Sequence, residues 1–260
     1  MDQKSLAEFP ISVGSYYNFI DHIISLACNR SSTYICVANV HMFIEAYKDE
    51  EFNKIIQKAN VVTPDGMPLT WGLSLLYGIK QVRVAGMDML PDLMENMIKN
   101  QLSVFFYGGT PGLLKRTQGF LKKSFPMLQQ AGFYSPPFRT LTPQEDEEII
   151  NRINSSKANV VFVILGCPKQ EKWMASMKGR INACMIGIGG ALPVLVGMQK
   201  RAPVWMQAVG MEWLYRLYLE PMRLYKRYAV TNTLFFYVFF KEYLKIKFTT
   251  NERVGNRKSN

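Results

Sequence analysis

Short apolar runs rich in β-branched residues alternate along this chain with longer stretches whose apolar positions recur every three or four residues. The short runs predict strands over residues 34–40, 61–62, 81–84, 104–107, 129–133, 160–165 and 184–188. Between them, helical periodicity covers 42–58 (with a break inside), 68–77, 89–99, 112–124, 143–155 and 169–177. Pro143, followed by the acidic run Glu145 to Glu148, suits a helix N-terminus, where carboxylates meet the positive end of the dipole. Strand alternating with helix predicts an α/β fold, a Rossmann-like and mostly parallel sheet with helices on both faces.

The pattern changes after about Gly197. Residues 205–228 are rich in aromatics and arginines, and Leu234-Phe-Phe-Tyr-Val-Phe-Phe240 is a continuous apolar run. Two units are therefore expected: residues 1–195 as the α/β domain, and 196–260 as a basic, aromatic appendage. Of the 31 Lys and Arg, twelve lie from Lys200 onward, against only four of the 20 Asp and Glu. The net charge of +11 is thus concentrated in the tail, which would attract a polyanion. The apolar run is too short for a bilayer span, which needs about 20 residues. Flanked by Arg227, Lys241, Lys245 and Lys247, it suits a helix lying in a lipid interface on an anionic membrane. The alternative is a helix docked on the domain with a solvated basic side; the coincidence of charge and aromatics favours the lipid reading. No nucleic-acid-binding motif accompanies the charge, so a nucleic-acid arm is disfavoured.

At 260 residues and 48% hydrophobic, the chain can bury one substantial core. Cys28, Cys36, Cys167 and Cys184 form no metal-binding or disulfide spacing and read as buried thiols of a reducing compartment. The opening MDQKSLAEFP lacks the basic-then-apolar pattern of a signal peptide, so nothing marks the chain for export. Of the two histidines, His22 reads as helix surface and His41 as packing or a polar pocket residue.

In an open α/β sheet, ligands bind beyond the carboxyl ends of the strands, so functional residues belong in the turns that follow them. Gly108-Gly109-Thr110-Pro111-Gly112 opens a helix, and Gly187-Ile-Gly189-Gly190 closes the last strand. Such turns let a phosphate approach backbone N–H groups, or simply pack tightly. Asp65, before Gly66, stands where a general base would belong, although Asp-Gly is also a common turn pair. Gly166, Lys169, Gln170 and Glu171 follow the sixth predicted strand; Lys and Gln there could hold phosphate or sugar hydroxyls, or form a solvated first helical turn. Arg216, Arg223 and Arg227, at i, i+7 and i+11, would share one face of a continuous helix and suit a diphosphate, or else pair with Glu220 as a surface network. No Asp-x-Asp triplet occurs, which fits chemistry in which arginines replace a metal at the diphosphate.

Several segments together resemble one family. They are Val37-Ala-Asn39-Val-His41, Pro64-Asp-Gly-Met-Pro68, Arg83-Val-Ala-Gly86, Phe106-Tyr-Gly-Gly-Thr-Pro111, Ser135-Pro-Pro-Phe-Arg139 and Leu165-Gly-Cys-Pro-Lys-Gln-Glu171. Arg201-Ala-Pro203, Gly210-Met-Glu-Trp-Leu-Tyr-Arg-Leu217, Glu220-Pro-Met-Arg-Leu224 and Arg227-Tyr228 extend the series. In this order they resemble the WecG/TagA/CpsF family of bacterial glycosyltransferases (glycosyltransferase family 26). The resemblance implies a Rossmann-like (GT-E-like) domain with a membrane-facing C-terminal appendage that completes the active site. It implies transfer of a hexose or N-acetylhexosamine-type sugar from a UDP-sugar to an undecaprenyl-diphosphate-linked glycan, with inversion, no cofactor and no required metal. The product would serve exopolysaccharide, capsule or teichoic-type polymer synthesis. The enzyme would be cytoplasmic, peripheral on the inner face of the membrane, and compatible with a homo-oligomer.

By the same resemblance Asp65 would be the general base, with Asn39, Arg83 and Gln170 positioning substrates or stabilising charge. Gly108, Gly109, Tyr134, Gly166, Lys169, Glu171, Gly187 and Gly189 would line the substrate site, with Arg216, Arg223 and Arg227 on the diphosphate. Two positions depart from the common family pattern. Val37 replaces a frequent Thr, and Leu192-Pro193-Val194 replaces a frequent Phe-Asp-Phe, so a hydroxyl and a carboxylate are missing near the expected pocket. Two rival classes are weighed. An oxidoreductase on the same sheet should show GxGxxG with an acidic residue about 20 positions on, and that fingerprint is absent. A non-catalytic membrane adaptor would use the tail without turning over a UDP-sugar.

Overall fold

The computed structural model describes residues 1–256, so the last four positions of the expected appendage lie outside the described residues. A short antiparallel hairpin, β1 (Gln3–Leu6) and β2 (Phe9–Ser12), opens the chain and leads into α1 (Tyr16–Cys28). Then follow β3 (Thr33–Ala38), α2 (Val40–Lys48), α3 (Glu50–Gln57), β4 (Val61–Pro64), α4 (Met67–Tyr77) and α5 (Gly86–Lys99). Next come β5 (Ser103–Gly108), α6 (Pro111–Ser124), β6 (Gln129–Tyr134), α7 (Pro143–Ser155), β7 (Val160–Ile164), α8 (Lys169–Met177), β8 (Cys184–Gly187) and the short α9 (Ala191–Leu195). Helices α10 (Val204–Ala208), α11 (Glu212–Leu219) and α12 (Pro221–Asn256) follow.

Strands β3 to β8 form one sheet in the order β4-β3-β8-β7-β5-β6, with every neighbouring pair parallel. The fold is thus the expected Rossmann-like α/β arrangement. Its two-sided burial follows from the period of two along each strand. Tyr34, Cys36 and Ala38 of β3 enter one core with α2, α3, α7, α8 and the hairpin, whereas Ile35 and Val37 enter the opposite core with α1, α5 and α6. Phe105 and Tyr107 of β5 divide from Val104 and Phe106 in the same way.

Local chemistry sets the helix ends. Thr142 and Glu145 form a reciprocal capping box at α7. Asp49 supplies the break inside 42–58: it ends α2, and its side chain accepts the Phe52 N–H at 3.0 Å to cap α3.

Three expectations need correction. Residues 81–84 form no strand. Gln81 turns its side chain onto Gly14, accepting that N–H and donating to that carbonyl, both at 2.9 Å, so only Val84 reaches the sheet edge, through one bond to Pro64. The hairpin β1–β2, absent from the predicted elements, covers β4, where Ser12 Oγ accepts the Val62 N–H at 3.0 Å. It thereby occupies an edge that would otherwise offer free backbone groups to another chain. Cys28, read as buried, is exposed at the end of α1.

The aromatic tail is divided rather than uniform. Leu224, Thr231, Phe235 and Val238 fall on one stripe of α12 and are buried. Phe235, 4% exposed, meets the edge of Phe43 from α2 with ring centroids 5.4 Å apart. Phe236, Tyr237 and Phe240 point away, and Phe236 is 65% exposed. At 3.6 residues per turn, a seven-residue apolar run must wrap onto both faces of its helix, so one half docks and the other is presented. Among the described residues, no helix is long and apolar enough to cross a membrane.

Candidate active site

The turns at the carboxyl ends of the six parallel strands form one row, and most of the predicted site residues lie along it. Asp65 follows β4, Asn39 follows β3, Gly189 follows β8, Gly166 follows β7 and Gly109 follows β5; Gly187, Gly108 and Tyr134 end their strands. Asp65 and Tyr134 sit at opposite edges, five strand spacings or about 24 Å apart. No single small group can touch both. A ligand as long as a nucleotide-sugar could extend along the row.

At the β4 end, the backbone N–H of Asp65 donates to the carbonyl of Ala38 at 2.8 Å, which ties the turn to β3. Asn39 caps α2, its Oδ1 accepting the Met42 N–H at 3.2 Å, and it remains exposed. The Asp65 carboxyl is pushed up to about 6, first by burial; Glu212 and Asp88 push it the same way, while Arg216 and Arg83 oppose them. A carboxylate held near neutrality can accept a proton in a reaction without being permanently blocked by one.

Around Asp65 runs a chain of alternating charge. Arg83 Nη1 meets Glu212 Oε2 at 2.9 Å, and Arg83 Nη2 meets Asp88 Oδ2 at 3.1 Å. Arg201 pairs with the other oxygen of Asp88, and Arg216 Nη2 lies 3.6 Å from Glu212 Oε1. Asp88, Arg201 and Glu212 were given no role by the sequence reading. The signal was present for two of them, because Arg201 and Glu212 stand inside motifs quoted above; Asp88 lay in no motif.

In the middle of the row, Gln170 is a buried clamp. Its Oε1 accepts the Gly166 N–H at 3.2 Å, and its Nε2 donates to Glu171 Oε1 at 2.8 Å. A methyl group on Gly187 would stand 2.8 Å from Gln170 Nε2, and one on Gly189 would stand 3.2 Å from Gln170 Oε1. These glycines therefore admit the amide as well as bordering the crevice. Glu171 is fully buried, bonded to Gln170 and to the Cys167 thiol; burial pushes its carboxyl up to about 7. Lys169 is exposed on the first turn of α8.

At the β5 end, Gly108 takes φ +103°, and an added Cβ would lie 2.6 Å from the carbonyl oxygen of Ile164. Close approach to β7 requires that glycine, whatever the turn binds. Gly109 donates its N–H to the same carbonyl at 2.8 Å, and its own carbonyl accepts from Ser135 Oγ at 2.6 Å. Tyr134 stacks on Tyr107, which stacks on Trp173 at 4.1 Å, and Arg152 lies over the Tyr134 ring.

The continuous arginine helix is corrected. Glu220 leaves helical geometry at φ −135°, ψ 59°, and separates α11 from α12, because Pro221 cannot continue the ladder. Arg216 therefore stands on α11 beside Asp65, while Arg223 and Arg227 share a face of α12. Arg223 is exposed and pairs with Glu220; Arg227 lies beside half-buried His41, whose imidazole is held neutral by burial and then by Arg227. Of the departures from the family pattern, Val37 and Leu192 face a core, whereas Pro193, at the position of the missing carboxylate, is half-buried. Val37 packs 3.4 Å from the Cβ position of Gly86, and Leu192 is buried. Among the described residues, no cluster of three metal-ligating side chains occurs.

A six-stranded parallel sheet with a carboxylate, paired arginines and glycine turns at its carboxyl ends places the chain among the Rossmann-like α/β proteins, whose ligands bind at that edge. The profile of the Glycosyl transferase WecG/TagA/CpsF family matches residues 4–249, and the chain belongs to that family and is a glycosyltransferase. It is 28% identical over 225 residues to the N-acetylglucosaminyldiphosphoundecaprenol N-acetyl-beta-D-mannosaminyltransferase of Bacillus subtilis (strain 168), covering 86% of each chain. The enzyme of the same description from Bacillus spizizenii is 27% identical over the same length and shares.

Proposed function

We propose that this chain transfers a hexose or N-acetylhexosamine-type sugar from a UDP-sugar to an undecaprenyl-diphosphate-linked glycan, with inversion and without a required metal. The relatives act, by name, on N-acetylglucosaminyldiphosphoundecaprenol and transfer N-acetylmannosamine, which makes that lipid-linked sugar the first acceptor to test. The observation that carries the mechanism is Asp65, at the carboxyl end of β4, pushed up to about 6 by burial against the opposing charges of Arg216 and Arg83. Asp65 takes the proton of the acceptor hydroxyl as its oxygen attacks the anomeric carbon. The bond to the diphosphate breaks from the opposite face, and UDP leaves. One displacement inverts the anomeric centre. Arg216, with Arg223 and Arg227 following it on α12, compensates the charge that grows on the leaving diphosphate, where guanidinium pairs are strongest.

The appendage, residues 196–260, brings this chemistry to the lipid. Trp205, Trp213, Tyr218, Met222, Phe236 and Phe240 are exposed on α10 to α12, beside Lys241 and Lys245. Aromatic side chains with nearby lysines suit the headgroup boundary of an anionic membrane, on its cytoplasmic face. The missing polar groups at Val37 and Leu192–Val194 point to a donor sugar that differs from N-acetylmannosamine, or to a pocket that reads it through other groups.

A donor panel tests this reading. UDP release should require the lipid-diphosphate acceptor, occur with one donor and be lost in Asp65→Asn. Turnover near wild type in that variant would remove Asp65 from the mechanism.

A further inference from the structure

Helix α11 carries eight residues and none of its side chains is buried, so packing alone fixes it weakly. Two contacts tie its start to the sheet domain. Gly210 fits against α4 so closely that a Cβ would stand 3.0 Å from Met67 Cβ and 3.2 Å from the Trp71 ring. Two residues on, Glu212 extends one carboxylate between two arginines, with Oε2 2.9 Å from Arg83 Nη1 and Oε1 3.6 Å from Arg216 Nη2. The carboxylate is largely buried, with 13% of the side chain exposed, and Oε1 has no hydrogen-bond partner beyond that longer ion contact. Arg83 belongs to the sheet domain and Arg216 to the appendage.

We propose that Glu212 is a positioning residue for transfer, holding Arg83 and Arg216 as a pair beside Asp65 and thereby tying assembly of the base and its cations to the docking of α11. The inference rests on Asp65 being the base. Like charges repel, so a carboxylate bridging two guanidinium groups lowers the cost of holding them side by side. Asp88 offers no substitute: it already bridges Arg83 at 3.1 Å and Arg201, and it reaches no group on α11. Glu212 stands in the first turn of α11, where the helix dipole favours its negative charge. The charges acting on Asp65 are Arg216 and Glu212 from α11, Arg83 from the segment before α5, and Asp88 from α5, with Arg201 acting through Asp88. Removing Glu212 leaves an excess of positive charge there, so Asp65 ionises more readily and becomes a weaker base. It also frees Arg216 to drift.

The experiment measures UDP release with UDP-N-acetylmannosamine, or the panel's active donor, and a short-chain lipid-diphosphate N-acetylglucosamine acceptor. It compares wild type, Glu212→Gln, Glu212→Asp and Asp65→Asn across pH. Glu212→Gln keeps the side chain's shape and opens no cavity, so it retains the fold. It should lower kcat/KM about 10- to 100-fold, the scale of a misplaced catalytic geometry. It should also move the acid limb of the pH profile to lower pH, and Glu212→Asp should recover part of both effects. Uniform loss with an unmoved acid limb would make Glu212 merely structural and overturn the inference, as would Glu212→Gln activity within twofold of wild type. Asp65→Asn separates the two readings: an inactive Asp65→Asn beside an unaffected Glu212→Gln refutes only the role of Glu212. Retained turnover in Asp65→Asn refutes the base and the inference with it.

Discussion

Replacing Asp65 with Asn should stabilise the protein at alkaline pH while abolishing transfer. The carboxyl is raised to about 6, against about 3.9 for an unperturbed aspartate, so the folded state holds its proton over a range in which the unfolded chain has released it. The sign follows directly. Between about pH 4 and 6 the folded state binds more protons, so stability falls as pH rises through that window and stays lower above it. About two pH units at about 1.4 kcal/mol each gives roughly 3 kcal/mol as an upper value, and 1–3 kcal/mol allows for relaxation of the site. Asparagine carries no charge and escapes the penalty. Only about 1.5 of those two units lie above pH 4.5, so the gain from Asp65→Asn should be about 1–2 kcal/mol larger at pH 8 than at pH 4.5. For a chain of this size that is roughly 2–8 °C in the melting temperature. Thermal or urea unfolding of both proteins at the two pH values checks it, since all other titrations are shared and cancel in the difference. A stability difference that does not change with pH would show that Asp65 ionises freely in the folded protein, and the argument for a poised base would fail.

Two further comparisons test the site and the appendage. Gly187→Ala places a methyl 2.8 Å from Gln170 Nε2, whereas a methyl on Gly190 meets nothing within 4 Å. The first should cost about 1–3 kcal/mol in urea unfolding and the second less than about 1 kcal/mol, with equal losses refuting the clamp. Phe235→Ala removes a buried ring and should cost about 3 kcal/mol or more, while Phe236→Ala, on the presented face, should change stability by less than about 0.5 kcal/mol. Phe236→Ala combined with Phe240→Ala should instead weaken binding to anionic vesicles in a flotation assay; unchanged binding would place the membrane contact elsewhere.

Legibility in the sequence varied with the kind of signal. Helices α7 and α8 were delimited to the residue because Pro143, the acidic first turn and a bounded apolar period mark their limits locally. Strands β3, β4, β5, β7 and β8 were visible because burial on both faces makes each a short apolar run, whereas β6 is a half-exposed edge strand without that signal. Residues 81–84 misled for the same reason: Val82 and Val84 look like strand residues, yet the amide of Gln81 binds Gly14, 67 positions away, which no local pattern reveals. The hairpin was missed because four-residue strands with Ser and Pro carry almost no periodic signal. Asp65, Asn39 and the glycine turns could be found as a group because strand ends assemble the site in this topology. The partners of Arg83 were hidden for the opposite reason: Asp88 and Glu212 are 124 residues apart, and only the docking of α11 brings them to one guanidinium. The arginine face failed on a single backbone feature, the break at Glu220, which puts Arg216 on a different helix from Arg223 and Arg227.

The central claim is transfer from a UDP-sugar to a lipid-linked glycan without a metal, and UDP release measures it most directly. A panel of UDP-sugars would be incubated in EDTA with the intact protein, with and without a short-chain lipid-diphosphate N-acetylglucosamine. Acceptor-dependent release from one donor, undiminished by the chelator, is the predicted result, and it would name the donor sugar. No release from any donor by folded protein, or release only after a divalent cation is restored, would contradict the account.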